Sequence, residues 1–243
     1  MLKVIYEPKG RAAEYCPWAV NLYRGCGHLC KYCYAPKALR MAEADFHSPA
    51  PRVDIVDKLI KDCSELRTKG EFHKVLLCFS CDPYQQINDQ FQLTKRAIEI
   101  LHFYGQSVVI LTKGGYRAHA DLPLLQTHDE FAVTLTCDND TQSREWEPGA
   151  ALPQERIDTL KEANARGIFT WVSLEPVLYP EQSLNLIRLT HQFTNKYKLG
   201  IANYIKSNVD WADYGHKAIA LLRELKKDFY IKEDLRKYLN IVK

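Results

Sequence analysis

The sequence predicts an α/β fold, specifically a partial (β/α)6 TIM-like barrel of parallel strands forming a single domain. Three observations predict it. From Cys16 onward, short apolar runs alternate with longer amphipathic stretches about six times. Several runs, Val75 to Phe79 and Val108 to Leu111 among them, are continuously apolar, as a strand buried on both faces requires. The strand-to-strand repeat is roughly 30 residues, the length of a βαβ unit, whose crossovers are right-handed almost without exception. Six such units are too few to close an eight-stranded barrel and enough for an open one. A doubly wound sheet is the alternative, and both architectures gather functional groups at the C-terminal ends of the strands.

In chain order, the strand-like runs are Ala19 to Arg24, Lys74 to Cys81, Ser107 to Lys113, Phe131 to Cys137, Phe169 to Val177 and Leu199 to Lys206. Helical spacing occupies Asp54 to Leu66, Thr94 to Tyr104, Gln154 to Ala165, Leu184 to Asn195 and Tyr214 to Lys227, with a weaker stretch at Asp121 to Thr127. Gly105 and Gly167 stand where helix C-terminal caps belong, and Pro180 stands where a helix should begin. No linker or low-complexity stretch divides the chain. The expected core is about 16–210, followed by a helical segment at about 211–243.

With 46% hydrophobic and 26% charged residues, the 243-residue chain can bury a sizeable core, which excludes dominant disorder. A formal charge of +3 is far from the basicity of a duplex-DNA protein. Lys3, Glu7 and Lys9 break up any signal-peptide core at the N-terminus, and charges interrupt every run before the roughly 18 to 20 apolar residues that span a bilayer. A cytoplasmic protein with no membrane partner is therefore expected. In a reducing cytosol, eight cysteines are read first as metal-binding or catalytic groups.

Their distribution is telling. Cys26, Cys30 and Cys33 follow the first strand in a Cys-x3-Cys-x2-Cys loop, with Gly25 and Gly27 relaxing the backbone around the first thiol. A loop of that spacing wraps three sulfurs around one face of a cubane cluster, leaving one iron open. The competing reading is a zinc site, with its fourth ligand drawn from Cys16, His28 or a distant residue. The remaining cysteines are singletons apart from Cys78 and Cys81, whose place in a predicted strand turns them to opposite faces.

These three cysteines, with aromatic Tyr32 before the third, resemble the signature of the radical S-adenosylmethionine (radical SAM) enzymes. The wider string from Cys16 through Arg24-Gly25-Cys26 to Cys33-Tyr34-Ala35-Pro36 resembles that superfamily's spore photoproduct lyase-like branch. The resemblance implies a 4Fe-4S cluster on Cys26, Cys30 and Cys33, with SAM chelating the open iron. It also implies reductive cleavage to a 5′-deoxyadenosyl radical that abstracts hydrogen from a substrate, the cofactor carrying the difficult chemistry. An electron donor such as flavodoxin or ferredoxin is implied as well, and by branch analogy a nucleic acid or nucleotide as the first candidate substrate.

Residue by residue, the resemblance places Tyr32 beside the adenine. The run Ser80-Cys81-Asp82-Pro83-Tyr84 resembles the branch element that grips the SAM amino group, with Asp82 the best partner for an ammonium. Lys113, in Leu111-Thr112-Lys113, is placed against the SAM carboxylate, the other reading being that it snorkels to solvent. Thr134 and Thr136 share a strand face and fit a ribose contact. Ser173 and Glu175 share another, and a carboxylate so deep in an apolar run needs a function or a partner such as Lys113 or Lys206.

One departure stands out. The branch's repair enzymes return a hydrogen atom from a cysteine three residues before the Asp, where this chain has Phe79. Cys81, on the same predicted face as Phe79, is the displaced candidate for that catalytic role. The Lys-rich tail from Arg223 to Lys243 reads as a solvated amphipathic helix closing the barrel end, its charge diluted by Glu224, Asp228, Glu233 and Asp234. Two functions from other classes compete with the radical enzyme: an iron-sulfur electron carrier without SAM chemistry, and a zinc-stabilised nucleic-acid-binding module.

Overall fold

The computed structural model describes residues Leu2–Leu239. Eight strands form one sheet in sequential order: β1 (Ile5–Tyr6), β2 (Trp18–Val20), β3 (Lys74–Leu77), β4 (Ser107–Thr112), β5 (Glu130–Thr134), β6 (Phe169–Leu174), β7 (Lys196–Leu199) and β8 (Asp228–Ile231). Only β1 runs antiparallel to its neighbour; β2 through β8 are parallel, as the predicted fold class requires. The crossovers carry α1 (Ile55–Lys69), α2 (Leu93–Phe103), α3 (Pro153–Ala165), α4 (Pro180–Thr190) and α5 (Trp211–Glu224). The β4-to-β5 connection uses a 3-10 segment, Gly115–Leu124, where a weak helix was expected. Gly105 and Gly167 follow α2 and α3 at φ of 80° and 79°, the left-handed cap conformation anticipated for them. Among the described residues no helix is long and apolar enough to cross a membrane.

Strand alternation produces two apolar layers. Val75, Leu77, Val108, Ile110, Phe131, Val133, Val172 and Leu174 face the helices, whereas Ala19, Leu76, Val109, Ala132 and Trp171 fill the barrel interior. Both faces are dry, which explains the continuous apolar runs. β1 and β8 are not paired with each other, so the sheet stays open.

Three expectations are corrected. The last strands are displaced: pairing covers Lys196–Leu199, and Gly200 to Lys206 runs on as loop. The segment beyond α5 is not one solvated helix, since β8 adds a seventh parallel strand before a short turn of helix at Glu233–Arg236. Its Lys232 is buried, 3% exposed; Lys243 lies outside the described residues. Finally, β3 ends at Leu77, not Cys81, because Cys78 adopts a left-handed conformation at φ 63°. That residue resets the alternation, so face assignments beyond it fail.

The open seam is sealed from inside. A 3-10 turn at Gly10–Glu14 delivers Tyr15 into the barrel against Phe79 and Trp171. Lys198 Nζ donates to the Glu14 and Tyr15 carbonyls at 3.0 and 2.9 Å, and Glu14 Oε1 accepts from Tyr230 Oη and the Glu233 amide. Arg11 pairs with Asp234 at 2.8 Å. The N-terminal segment is thus fastened to the last strands by polar contacts, and burial pushes the Lys198 amine down to about 8.

Candidate functional site

The C-terminal ends of β2 to β5 surround the cysteine loop. After β2, the chain makes a short ribbon, Tyr23–Arg24 against Ala50–Pro51, and then enters the loop. Three supports hold the loop from behind. The Cys26 amide donates to the Phe46 carbonyl at 2.8 Å. The Gln85 side chain, fully buried, brackets Cys26 by accepting from the Gly27 amide at 2.8 Å and donating to the Gly25 carbonyl at 3.2 Å. The 146–151 segment supplies the third, with Gly149 N donating to the His28 carbonyl and Lys31 N to the Trp146 carbonyl. A Cβ on Gly149 would sit 2.2 Å from the Gly27 carbonyl oxygen, so only glycine fits there.

His28 lies within the motif and is buried. Its Nδ1 is 3.0 Å from the Gly149 carbonyl and its Nε2 3.2 Å from Asp82 Oδ2. The ring thus spans the Gly149 carbonyl and the Asp82 carboxylate and links the cysteine loop to the β3 end. Asp82 also accepts from Thr112 Oγ1 at 2.6 Å, the Lys113 amide at 2.7 Å and the Tyr84 amide at 2.9 Å. Burial opposes its ionisation, but the His28 ring and these donors hold its carboxyl far below the usual range. Oδ1 accepts two hydrogen bonds and Oδ2 one, with the His28 ring 3.2 Å from Oδ2. Asp82 thus ties the ends of β3 and β4 to the cysteine loop.

Tyr32 is likewise committed. Its hydroxyl donates to Glu147, whose other oxygen lies 2.6 Å from Arg156, an ion pair with almost no exposure on either partner. Arg156 further donates to the Ala151 and Thr134 carbonyls. Burial opposes the Glu147 charge, yet Arg156 and Lys113 keep its carboxyl below its ordinary value. Lys113 turns inward, its Nζ 5.7 Å from the Tyr32 ring centroid; desolvation works against its charge, but Cys30, Glu147 and Asp82 outweigh it. It does not snorkel. The cysteine thiols are free, and burial raises all three, Cys30 to about 12.

The other strand-end residues form a second group. Ser173 Oγ is 3.3 Å from Tyr15 Oη, and Glu175 accepts from Tyr15 Oη at 2.7 Å, from Asn203 at 3.1 Å and from Lys232. The partner of Glu175 is thus Lys232, neither Lys113 nor the exposed Lys206. Phe79 bridges the two groups, its ring 5.7 Å from Tyr15 and 6.3 Å from Tyr34. Thr134 is buried at the end of β5, while Thr136 lies beyond the strand beside Cys137, so the two do not share a strand face. Ser80 is half-buried at the mouth, its amide donating to Asn21. Cys81 does not share the face of Phe79: it packs with Cys78 against the outer core, and its thiol points to the Tyr23 carbonyl at 3.5 Å. It is removed as a hydrogen donor into the barrel.

Sequence reasoning missed Gln85, Glu147, Arg156, Tyr15 and Lys232. One signal was readable: Arg156 stands with Pro153, Ile157, Leu160 and Ala163 on the buried stripe of α3, where an unpartnered charge is not tolerated.

A family model described as the radical SAM superfamily matches residues 20–193. An uncharacterised protein of Mycobacterium tuberculosis (strain H37Rv) is 30% identical over 171 residues, 66% of this chain and 49% of that protein, so the chain spans about half the length of this curated relative. A protein of Pseudomonas phage M6 named radical SAM Nalpha-GlyT isomerase is 26% identical over 153 residues, 61% of this chain and 30% of that one. Among solved structures, a spore photoproduct lyase variant with bound AdoMet and dinucleoside spore photoproduct superposes with a TM-score of 0.73 at 13% identity, covering 96% of this chain and 79% of that one.

Proposed function

The chain belongs to the radical SAM superfamily of enzymes, and on that premise we propose that it works as one catalytic domain, holding a 4Fe-4S cluster on Cys26, Cys30 and Cys33 and using SAM to act on a nucleic acid or nucleotide. When bound, the cluster and SAM together supply a 5′-deoxyadenosyl radical that takes a hydrogen atom from the substrate. The observation that carries the reading is the three-thiol loop, braced by Gln85, His28 and Gly149 and faced by cationic Lys113. These residues fit the group. Burial raises all three thiols in the metal-free chain, so a bound cation is what would stabilise them as thiolates.

Zinc is disfavoured because, among the described residues, no fourth ligand joins the three cysteines. The His28 ring faces the Gly149 carbonyl and the Asp82 carboxylate, and the Cys16 thiol donates to the Lys74 carbonyl at 3.2 Å within the barrel. An electron carrier without SAM chemistry leaves the inward Lys113 and the polar strand ends unexplained.

In this reading the chain's own groups divide the labour. Lys113, on the barrel side of the loop, pairs with the SAM carboxylate. Ser80 and Asp82 supply contacts to the amino group. Tyr32, locked by Glu147, offers its ring to the adenine, while Thr134, Thr136, Ser173 and Glu175 remain the candidate contacts for the rest of the nucleoside. The solved structure with bound dinucleoside spore photoproduct supports a nucleotide-bearing substrate. A one-electron donor such as flavodoxin or ferredoxin completes the system.

The test is anaerobic reconstitution with iron and sulfide, reduction, and addition of SAM. Formation of 5′-deoxyadenosine is the expected result. A cluster that reduces but leaves SAM intact, or a chain that takes up zinc and no sulfide, would overturn the reading.

A further inference from the structure

The opposite end of the sheet carries a second group of ligating side chains. His102 is the penultimate residue of α2, and His128 and Asp129 lie in the loop that leads into β5. The three converge: two imidazole nitrogens and a carboxylate oxygen lie within 4.8 Å of one another. This group stands where β4 and β5 begin, whereas the cysteine loop stands where they end. The residues of β4, Ser107–Thr112, separate the two by about 17 Å along the strand.

Asp129 is the fixed member of the group. It is fully buried; its Oδ1 accepts from the Val108 amide at 2.7 Å, and its Oδ2 accepts from the Gln126 amide at 2.7 Å and lies 2.8 Å from His102 Nε2. Amides built into the start of β4 and the loop before β5 hold the carboxylate in place, as the outer contacts of a metal ligand do. Three contacts occupy three of its roughly four acceptor positions. The fourth is on Oδ1, the oxygen 4.0 Å from His128 Nε2.

The two rings are the adjustable members. They meet edge to face with centroids 5.9 Å apart, His102 mostly buried and His128 51% exposed. Around a tetrahedral ion with bonds of about 2.0–2.1 Å, neighbouring ligand atoms stand about 3.3 Å apart. The separations from the carboxylate, 2.8 Å for His102 and 4.0 Å for His128, bracket that edge, so modest rotations of the two side chains reach it. His102 then presents the Nε2 lone pair and carries its ring proton on Nδ1.

We propose that His102, His128 and Asp129 form a zinc-binding site at the base of the barrel that clamps the end of α2 to the entry of β5. Two imidazoles and one carboxylate suit a borderline divalent ion, whereas magnesium and calcium take oxygen ligands. Three protein ligands leave the fourth position to water beside the exposed His128. His102 and Asp129 are 27 positions apart with all of β4 between them, so one ion closes a long loop of the chain. The site is independent of the cysteine loop and of what that loop holds.

The test adds zinc to the full chain reconstituted with iron and sulfide, in which the cysteine loop is filled, and to the metal-free chain beside it. The reconstituted protein should bind one further ion per chain, with X-ray absorption showing nitrogen and oxygen neighbours at about 2.0–2.1 Å and no sulfur at about 2.3 Å. His128→Asn changes an exposed ring and should weaken that binding about tenfold or more by titration calorimetry. His216→Asn, an exposed histidine of α5 outside the group, should leave it unchanged. Zinc should raise the thermal unfolding midpoint of the parent and not that of His128→Asn, and magnesium at the same concentration should raise neither. A sulfur shell in the reconstituted protein, the same zinc affinity in parent and His128→Asn, or no zinc bound at all overturns the proposal. Should no cluster assemble, the cofactor reading fails on its own and the metal-free chain decides the site: His128→Asn should there remove the zinc held by nitrogen and oxygen and leave any held by sulfur.

Discussion

Two buried ion pairs stand at the barrel mouth, and they are built for different work. Glu147 and Arg156 lie under the cysteine loop, nine positions apart in the sequence, with almost no exposure. Glu147 fixes Tyr32, and Arg156 fixes the carbonyls of Ala151 and Thr134, so this pair sets the shape of the cofactor loop's floor. Glu175 and Lys232, 57 positions apart, join β6 to the end of β8 and enclose Tyr15 between them. With Tyr15 held against it, this second pair fastens the N-terminal segment to the last strands. The difference teaches that charge burial at one rim serves two ends, the pre-organisation of a binding loop and the fastening of an incomplete barrel.

Iron loading separates the two regions most sharply. Cys30→Ala should abolish cluster assembly, with iron per chain falling to background by metal analysis, whereas Lys232→Met should load iron as the parent does. Iron bound stoichiometrically by Cys30→Ala would sink the ligand assignment.

Stability should come next. Arg156→Ala strands a buried carboxylate and is expected to cost about 3–5 kcal/mol in urea unfolding of the metal-free chain. It should also lower iron uptake, since Tyr32 and the 147–151 segment lose their anchor. Lys232→Met should cost less, about 1.5–3 kcal/mol, because Glu175 keeps Tyr15 and Asn203 as donors. Equal losses in both variants, or normal iron uptake by Arg156→Ala, would erase the distinction between a positioning pair and a fastening pair.

The smallest effect is in the pH dependence. Because the Glu147 carboxyl is held below its unfolded value, its contribution to stability is complete above that value and is lost as pH falls through the lower, folded one. Acid unfolding of the metal-free chain should therefore be less steep in Glu147→Gln than in the parent between roughly pH 5 and pH 3. Superimposable acid transitions would show that Glu147 carries no linked proton.

Much of this was legible in the chain. The helices α1, α2 and α3 begin and end within a few residues of their expected bounds, because glycine caps and apolar periodicity are local signals. The Cys26, Cys30 and Cys33 loop was legible for the same reason, being eight consecutive residues whose spacing carries its own chemistry. Strand ends were harder. The left-handed turn at Cys78 hid inside an apolar run, so a continued alternation put Cys81 on the wrong face. The tail was misread because its four-residue strand adds to the edge of a sheet, and an edge strand is specified by the neighbour it pairs with more than by its own pattern.

The sequence by itself determined the α/β architecture, the parallel sheet and the three-cysteine loop, since periodicity, caps and motif spacing act over a few residues. Only the tertiary structure decided that Asp82 is bonded to the Thr112 side chain and the Lys113 amide, that Arg156 answers Glu147, that Lys232 answers Glu175, and that Leu29 faces solvent. A buried charge chooses its partner by distance in space under the cost of desolvation. Residues 57 positions apart become neighbours only after the sheet has been laid down.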